Sequence, residues 1–337
     1  MQKDAEAAAR QVAGDDGMDP LTGTYPRSNG GTELQYRALV TRLPRAILDG
    51  VQIICSRVRV LEPHKKHLLW LHDLAWDPEA GHLADPKLRQ RFDRLVFVSH
   101  RQFQDYHLVH GVPYSESVVI HNAIEPIDCP IARPDDALRF VYHTTPHRGL
   151  QLLVPAFDHL CRKYRDRHLH LDVYSSFEIY GWGNRDAEYA KLFDACRRHP
   201  NITYHGAVPN AQVREALARS HFFAYPSIWQ ETSCIAAIEA MSAGVLVVCP
   251  DLGALTETVG DRGIVYRWHE NPHEHLRRFV AAVESAIDRY EADAGLRASL
   301  RLNQDYVRDH YGWDARMAEW NALFAELVPT RSSPGRS

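Results

Sequence analysis

Two acidic residues eight positions apart, Glu231 and Glu239, offer the plainest chemistry in this sequence. Glu239 is set among Ile235, Ala236, Ala237, Ile238, Ala240 and Met241, a run apolar enough to be buried. A buried carboxylate costs several kcal/mol unless something hydrogen-bonds it. That partner is either an internal Arg or Lys, which makes Glu239 structural, or a pair of ligand hydroxyls, which makes it a binding residue. Glu231 stands just ahead of the apolar run, beside Thr232, Ser233 and Cys234.

The elements around the pair read as one unit. Small and apolar residues favour a helix over Ile235–Ala243, and Gly244 follows where a helix end favours φ > 0. His221–Tyr225 before it and Val245–Cys249 after it read as strands. Strand, loop, helix and strand form a βαβ unit, with its ligand site at the strand's carboxyl end. Free N–H groups around Thr232, Ser233 and Cys234 suit a phosphate or sugar oxygens. Glu239 is expected two turns inside, about 12 Å beyond Glu231 at 1.5 Å per residue. A nucleotide sugar has that reach, with diphosphate and sugar at the mouth and a ribose diol at Glu239.

The whole chain alternates in the same way. Its 337 residues suffice for two domains with full cores. Apolar strands at Val51–Cys55, Leu68–Leu71, Leu95–Val98 and Val118–Ile120 alternate with helices at Thr32–Leu43, Pro86–Arg94 and Gln102–His110. A second series has strands at Arg139–His143, His168–Tyr174, Ile202–His205, Phe222–Tyr225, Val245–Cys249 and Ile264–Tyr266. Such alternation predicts parallel α/β sheets. The boundaries expected are a mobile tail over 1–28, an N-terminal domain over 29–127 and a Pro-rich linker over 128–136. A second domain follows over 137–310, and 311–330 is a final helix.

Composition excludes several classes. A net charge of −4 leaves no basic footprint for nucleic acid. No apolar run approaches a membrane span, and no signal-peptide core is visible, so a cytoplasmic chain is expected, with peripheral membrane contact still allowed. Six cysteines without CxxC pairing read as reduced thiols.

The spacing Glu231-x7-Glu239, followed by Ala240-Met-Ser-Ala-Gly244 and Asp251-Leu-Gly-Ala-Leu-Thr-Glu257, resembles family 4 retaining glycosyltransferases. The resemblance runs through 139–325 and more thinly through 29–127. It implies the GT-B fold, two Rossmann-like doubly wound α/β domains facing a cleft, here with a shortened N-terminal domain because no apolar strand precedes Asn29. It implies that 311–330 returns to the N-terminal domain. It further implies that Gly30-Gly31 lies against a donor diphosphate, that Arg148 grips the phosphates, and that Val208 lies in the nucleobase segment. His72 is the match for a residue near the reacting sugar, and Glu231 orients sugar hydroxyls. His143 stands where relatives often have a second Arg, so one phosphate contact is expected to titrate near neutrality.

The activity implied is a hexosyltransferase acting on a nucleotide-diphospho sugar, UDP- or GDP-linked, with no other cofactor. The acceptor is a glycan, a lipid-linked sugar or a small molecule, as in polysaccharide biosynthesis. Alternatives are a GT-B nucleotide-sugar epimerase and a non-catalytic sugar-nucleotide binder. No Asp-x-Asp metal signature, P-loop or Gly-x-Ser-x-Gly is present. His269, His273 and His275 cluster, but Pro272 interrupts metal-ligand spacing, so no metal site is expected.

Overall fold

The computed structural model describes residues 17–130, 133 and 136–328. Runs such as Ile53-Ile54-Cys55 and Leu68-Leu69-Trp70-Leu71 are buried throughout, as parallel strands covered by helices require. Helices α1 (Gly31–Val40) and α2 (Arg45–Gly50) lead into β1 (Val51–Cys55) and β2 (Lys66–Leu71). Then come α3 (Pro86–Arg89), β3 (Arg94–Phe97), α4 (His100–His110) and β4 (Ser117–Val119). All four strands are parallel, in the order β1-β2-β3-β4. Among the described residues the order of this sheet runs from β1 to β4 without a reversal. The helix expected to reach Arg94 stops at Arg89, because Asp93 ties the chain to β2 by accepting from His67 N (2.8 Å) and Lys66 Nζ (2.8 Å).

Residues 1–16 of the expected tail lie outside the described residues. Residues 17–28 differ from that expectation, for they run along the β1 edge. Cys55 N donates to Thr22 O (2.7 Å), Val60 N to Pro20 O (3.2 Å) and Gln52 Nε2 to Leu21 O (2.7 Å). Bonds made through the backbone need no apolar pattern, so composition alone misses them.

The second series is β5 (Leu138–Tyr142), α5 (Leu150–Lys163), β6 (Leu169–Val173), α6 (Ala190–Arg198) and β7 (Ile202–Tyr204). It continues through α7 (Asn210–Leu217), β8 (Phe222–Ala224), α8 (Ile235–Ser242), β9 (Leu246–Pro250), α9 (Leu255–Val259) and β10 (Ile264–Tyr266). The sheet order β10-β9-β8-β5-β6-β7 reverses between β5 and β8, which is double winding. A crevice for ligands opens beyond the strand ends at that reversal. Of the linker over 128–136, residues 131, 132, 134 and 135 lie outside the described residues.

Three helices close the chain: α10 (Pro272–Ala292), α11 (Ala294–Tyr311) and α12 (Trp313–Leu327). The last buries Trp320, Leu323 and Phe324 in the core of the first sheet, with the Trp320 ring 4.9 Å from Trp70. The two units are also clasped by a carboxylate. Glu257, on α9, accepts from His100 N (2.9 Å) and Arg101 N (2.8 Å) at the first turn of α4, and from His121 Nε2 (2.9 Å). Orphan amides at a helix start favour an anion, so this clasp contributes about 1–3 kcal/mol to the closed arrangement. Glu257→Ala should raise the radius of gyration in small-angle X-ray scattering. An unchanged scattering curve would mean that the other contacts hold the units alone.

Candidate functional site

The carboxyl ends of β2, β5, β6 and β8 meet across the crevice between the two sheets. Thr232 Oγ1, from the loop after β8, donates to His72 O (3.0 Å) at the end of β2. Asn29 N donates to Ile179 O (2.6 Å), which brings the Gly30-Gly31 turn against the second domain. A Cβ on Gly30 would fall 2.4 Å from the Tyr180 ring, and one on Gly31 would meet Ile235, the first residue of α8, at 3.1 Å. These glycines are needed for close approach. They stand beside the N-terminus of α8, where Cys234 is the buried N-cap and Thr232 and Ser233 precede it.

Glu231 sits in a tight polar knot. Both Arg148 Nη1 and the Tyr225 hydroxyl donate to Glu231 Oε1, and no described residue donates to Oε2. The resemblance assigned Arg148 and Glu231 separate ligand roles, whereas here they hold each other. Arg148 is the last residue of a short 3-10 turn (Pro146–Arg148), and its position depends on Gly149, which takes φ 130°. A Cβ there would lie 2.2 Å from Pro226 O. Burial works against the Arg148 charge, but Glu231 holds the guanidinium well above its ordinary pKa. On the other side, Ala254 N donates to Glu231 O (2.8 Å), fixing the loop.

Glu239 is 7% exposed and lies four residues into α8 from Ile235, about 6 Å along the axis. That is shallower than two turns, because the helix begins at Ile235 and not at Glu231. Asn210 Nδ2 donates to Glu239 Oε1 (3.1 Å). Arg214 Nη1 lies 3.9 Å from the same oxygen, yet its guanidinium is anchored on Glu125 O (2.9 Å) and Pro126 O (3.0 Å). Burial raises the Glu239 pKa, and Asn210 and Arg214 offset part of that. The acid is therefore held by one amide and a loosely placed cation. Both come from α7, which follows the Gly206-Ala207-Val208 segment, with Val208 packed on the core.

Other buried polar atoms gather in the same loops without a hydrogen bond from the protein. They include His72 Nε2 and Asp73 Oδ2 after β2, His143 Nε2 and His147 Nδ1 after β5, and Gln230 Oε1 after β8. Buried polar atoms are nearly always satisfied, so this group of them in the loops after the strand ends marks a candidate site. The two histidines expected at the site are neutral. Burial depresses the His72 pKa to about 3 and that of His143 to about 4. This corrects the expectation that His143 titrates near neutrality, since its desolvation is a tertiary effect.

The stability consequence has a definite sign. A neutral buried imidazole stabilises the fold above its unfolded pKa of 6.5, and that contribution is lost as pH falls toward 4. The loss of stability between pH 7 and pH 5 should thus shrink by about 2 kcal/mol in His143→Asn, as read by urea unfolding. Equal pH dependence in both proteins would contradict the burial of that imidazole.

Among the described residues, one cluster has metal-ligand spacing: His100, His121 and Glu257, with ligand atoms within 4.8 Å. Its carboxylate already accepts two amides, and Arg316 Nη1 approaches His121 Nδ1 at 3.4 Å. A guanidinium there disfavours a cation, so the cluster is a clasp. His275 instead faces the Tyr266 hydroxyl at 3.2 Å.

The family model described as "Glycosyl transferases group 1" matches residues 130–301, just over half of the chain. The chain belongs to the glycosyl transferases group 1 family. The architecture of this group 1 chain is GT-B, as in its solved neighbours. A glycosyltransferase from Rickettsia africae superposes with a TM-score of 0.64 at 13% identity, covering 88% of this chain and 82% of that one. Anabaena HepE, solved with UDP and glucose, gives 0.58 at 16% identity over 78% and 72%. Among curated relatives, one component of the human phosphatidylinositol N-acetylglucosaminyltransferase is 29% identical over 199 residues, 58% of this chain and 38% of that protein. Its Arabidopsis thaliana counterpart is 27% identical over 204 residues, 58% and 42%. The Escherichia coli O-antigen chain mannosyltransferase B is 32% identical over 121 residues, 36% and 30%. The group 1 chain thus spans about two fifths of the length of the first two.

Two members of the site escaped sequence reasoning. Tyr225 directly follows β8 and entered the sequence reading only as the end of a strand, although the strand-end rule points to it. Asn210 opens α7 directly after Val208-Pro209, and only its helix start gave any signal. No helix among the described residues is long and apolar enough to cross a membrane.

Proposed function

We propose that this chain is a retaining, metal-independent glycosyltransferase that moves a hexosyl group from a UDP- or GDP-linked sugar to an acceptor hydroxyl. The observation that carries the reading is Glu239, a buried carboxylate with one amide hydrogen bond, standing one turn inside the helix that borders the crevice. A ribose diol supplies two donors to such an acid. The diphosphate then meets the α8 N-terminus and the Gly30-Gly31 turn, and Arg148 turns from Glu231 to the phosphates. Glu231, relieved of that partner, orients the sugar hydroxyls, and neutral His72 faces the same sugar. Val208 and its neighbours border the base.

Stabilising charge on the leaving diphosphate is the main catalytic term, since the bond that breaks leaves its electrons there. Attack comes from the same face, and the departing phosphate takes the acceptor's proton, so no protein nucleophile is assigned. The named activities of the relatives, N-acetylglucosaminyl and mannosyl transfer, and the UDP complexes of the neighbours support this class. A cytoplasmic role in glycan or glycolipid assembly follows from it.

A thermal-shift series with UDP, GDP, UDP-N-acetylglucosamine and GDP-mannose tests the donor, because a ligand at 100 times its Kd adds about 2.7 kcal/mol. One nucleotide family should raise the melting temperature. No shift with any of the four would remove the reading, and donor consumption yielding only an isomeric nucleotide sugar would replace transfer by epimerisation.

A further inference from the structure

After β6 a strap, Ser176 to Gly183, leaves the second domain and reaches the first. Its root is pinned by Asp186, which accepts from the Ser176 hydroxyl and from Phe177 N (2.8 Å). Its tip is held by the opposite unit, where Asn29 N donates to Ile179 O (2.6 Å) and the Tyr25 ring meets Trp182 edge-on at 6.2 Å. Gly181, at φ 77°, turns the chain back directly after Tyr180. The Tyr180 ring rests against Gly30, where a Cβ would fall 2.4 Å from its Cε1, and lies 5.1 Å from the Trp182 ring. Among the described residues none hydrogen-bonds the Tyr180 hydroxyl. Burial lowers the Arg148 pKa while Glu231, Tyr225 and then Tyr180 raise it, so Tyr180 stands within electrostatic reach of that guanidinium.

The loop after β5 supplies a single cation to this place. His143 is neutral, with its pKa depressed to about 4 by burial. His147 is held neutral by burial and by its neighbours Arg148 and Arg185, and its ring lies flat on Phe177 of the strap at 5.3 Å, 16° from parallel. A diphosphate between Arg148 and the Gly30-Gly31 turn therefore finds one cation on the β5 side and a free phenol beside it.

We propose that Tyr180 is a second donor to the diphosphate, its hydroxyl donating to the sugar-linked phosphate that Arg148 neutralises. A hydrogen bond to an anionic oxygen is about twice as strong as a neutral one. A phenol offers its O–H on a rigid ring with two torsions, so little freedom is lost when it binds. Because the ring is held by Gly30, the hydroxyl is in place only while the two units stand together. The inference rests on the transferase reading, whose donor site it deepens.

The test compares a diphosphate with its monophosphate on the full chain. Tyr180→Phe keeps the ring on Gly30 and removes the hydroxyl alone. By calorimetry the wild type should prefer UDP to UMP, or GDP to GMP, and in the variant that preference should shrink about tenfold, with the monophosphate bound as before. A change of less than threefold in the preference overturns the contact. Equal losses for the two nucleotides overturn it as well, since a ring that merely shapes the strap would act on both. If neither UDP nor GDP binds the wild type, the transferase reading falls and the inference with it.

Discussion

Glu239→Gln should weaken nucleotide binding by about two orders of magnitude while leaving the unliganded protein as stable as before, or more so. Burial raises the pKa of this carboxyl above 4.5, so the folded protein binds its proton more tightly than the unfolded chain. A raised carboxyl pKa means that the group favours folding at low pH. The contribution then declines as pH climbs through and beyond the ordinary carboxylate range. At neutral pH the charge is a burden on the apoprotein. Glutamine keeps an acceptor for Asn210 Nδ2 and removes that burden, and Arg214 retains its two carbonyl partners. Ligand binding behaves oppositely. Two hydroxyl hydrogen bonds to a charged acceptor contribute about 1.5–3 kcal/mol each, so a loss of about 3 kcal/mol weakens UDP or GDP binding more than 100-fold. Calorimetry reads the affinity and urea unfolding the stability. Binding within threefold of wild type would sink the ribose role. A stability loss of several kcal/mol would instead make Glu239 the structural partner of Arg214.

Strands β1, β8 and β9 were legible because parallel strands buried on both faces read as short apolar runs. Val245–Cys249 is one of these, with β9 shifted by one residue to Leu246–Pro250. The end of α8 was legible for a different reason, since Gly244 takes φ 67° as the sequence position suggests. What the sequence hid is held by contacts between distant residues. Arg148 and Glu231 are 83 positions apart, and nothing in either local pattern reveals that one carboxylate oxygen receives both Arg148 and Tyr225. The Glu257 clasp joins residues 157 positions apart. The neutrality of His72 and His143 is likewise a property of the packed surroundings and not of the residue type. The Gly30-Gly31 turn lies between these cases. Its glycines were visible, whereas their reason, the Tyr180 ring and the end of α8, is supplied by the opposite domain.

Arg148→Ala should be the most destabilising change at the site. The guanidinium is about a fifth exposed and its partner Glu231 only 6%. Removing one member of a buried ion pair typically costs about 3–5 kcal/mol, because the other charge is left without compensation. Tyr225 remains as a donor to the same oxygen and limits the loss, so about 3 kcal/mol is expected. Glu231→Gln alone leaves a buried guanidinium and should also destabilise. The double variant Arg148→Ala with Glu231→Gln removes both charges and should recover most of the loss, giving a coupling of about 2 kcal/mol in the cycle. Additive effects within about 0.5 kcal/mol would show that the pair is not a unit. Transfer should be lost in all three proteins whatever their stability, since Arg148 faces the leaving diphosphate in the proposed reaction. Arg148→Lys separates the two roles. A lysine keeps the charge but not the planar fork, so it should restore much of the stability while transfer stays at least tenfold below wild type. If the lysine variant transfers at the wild-type rate, charge alone suffices and the forked contact to the phosphates is not needed.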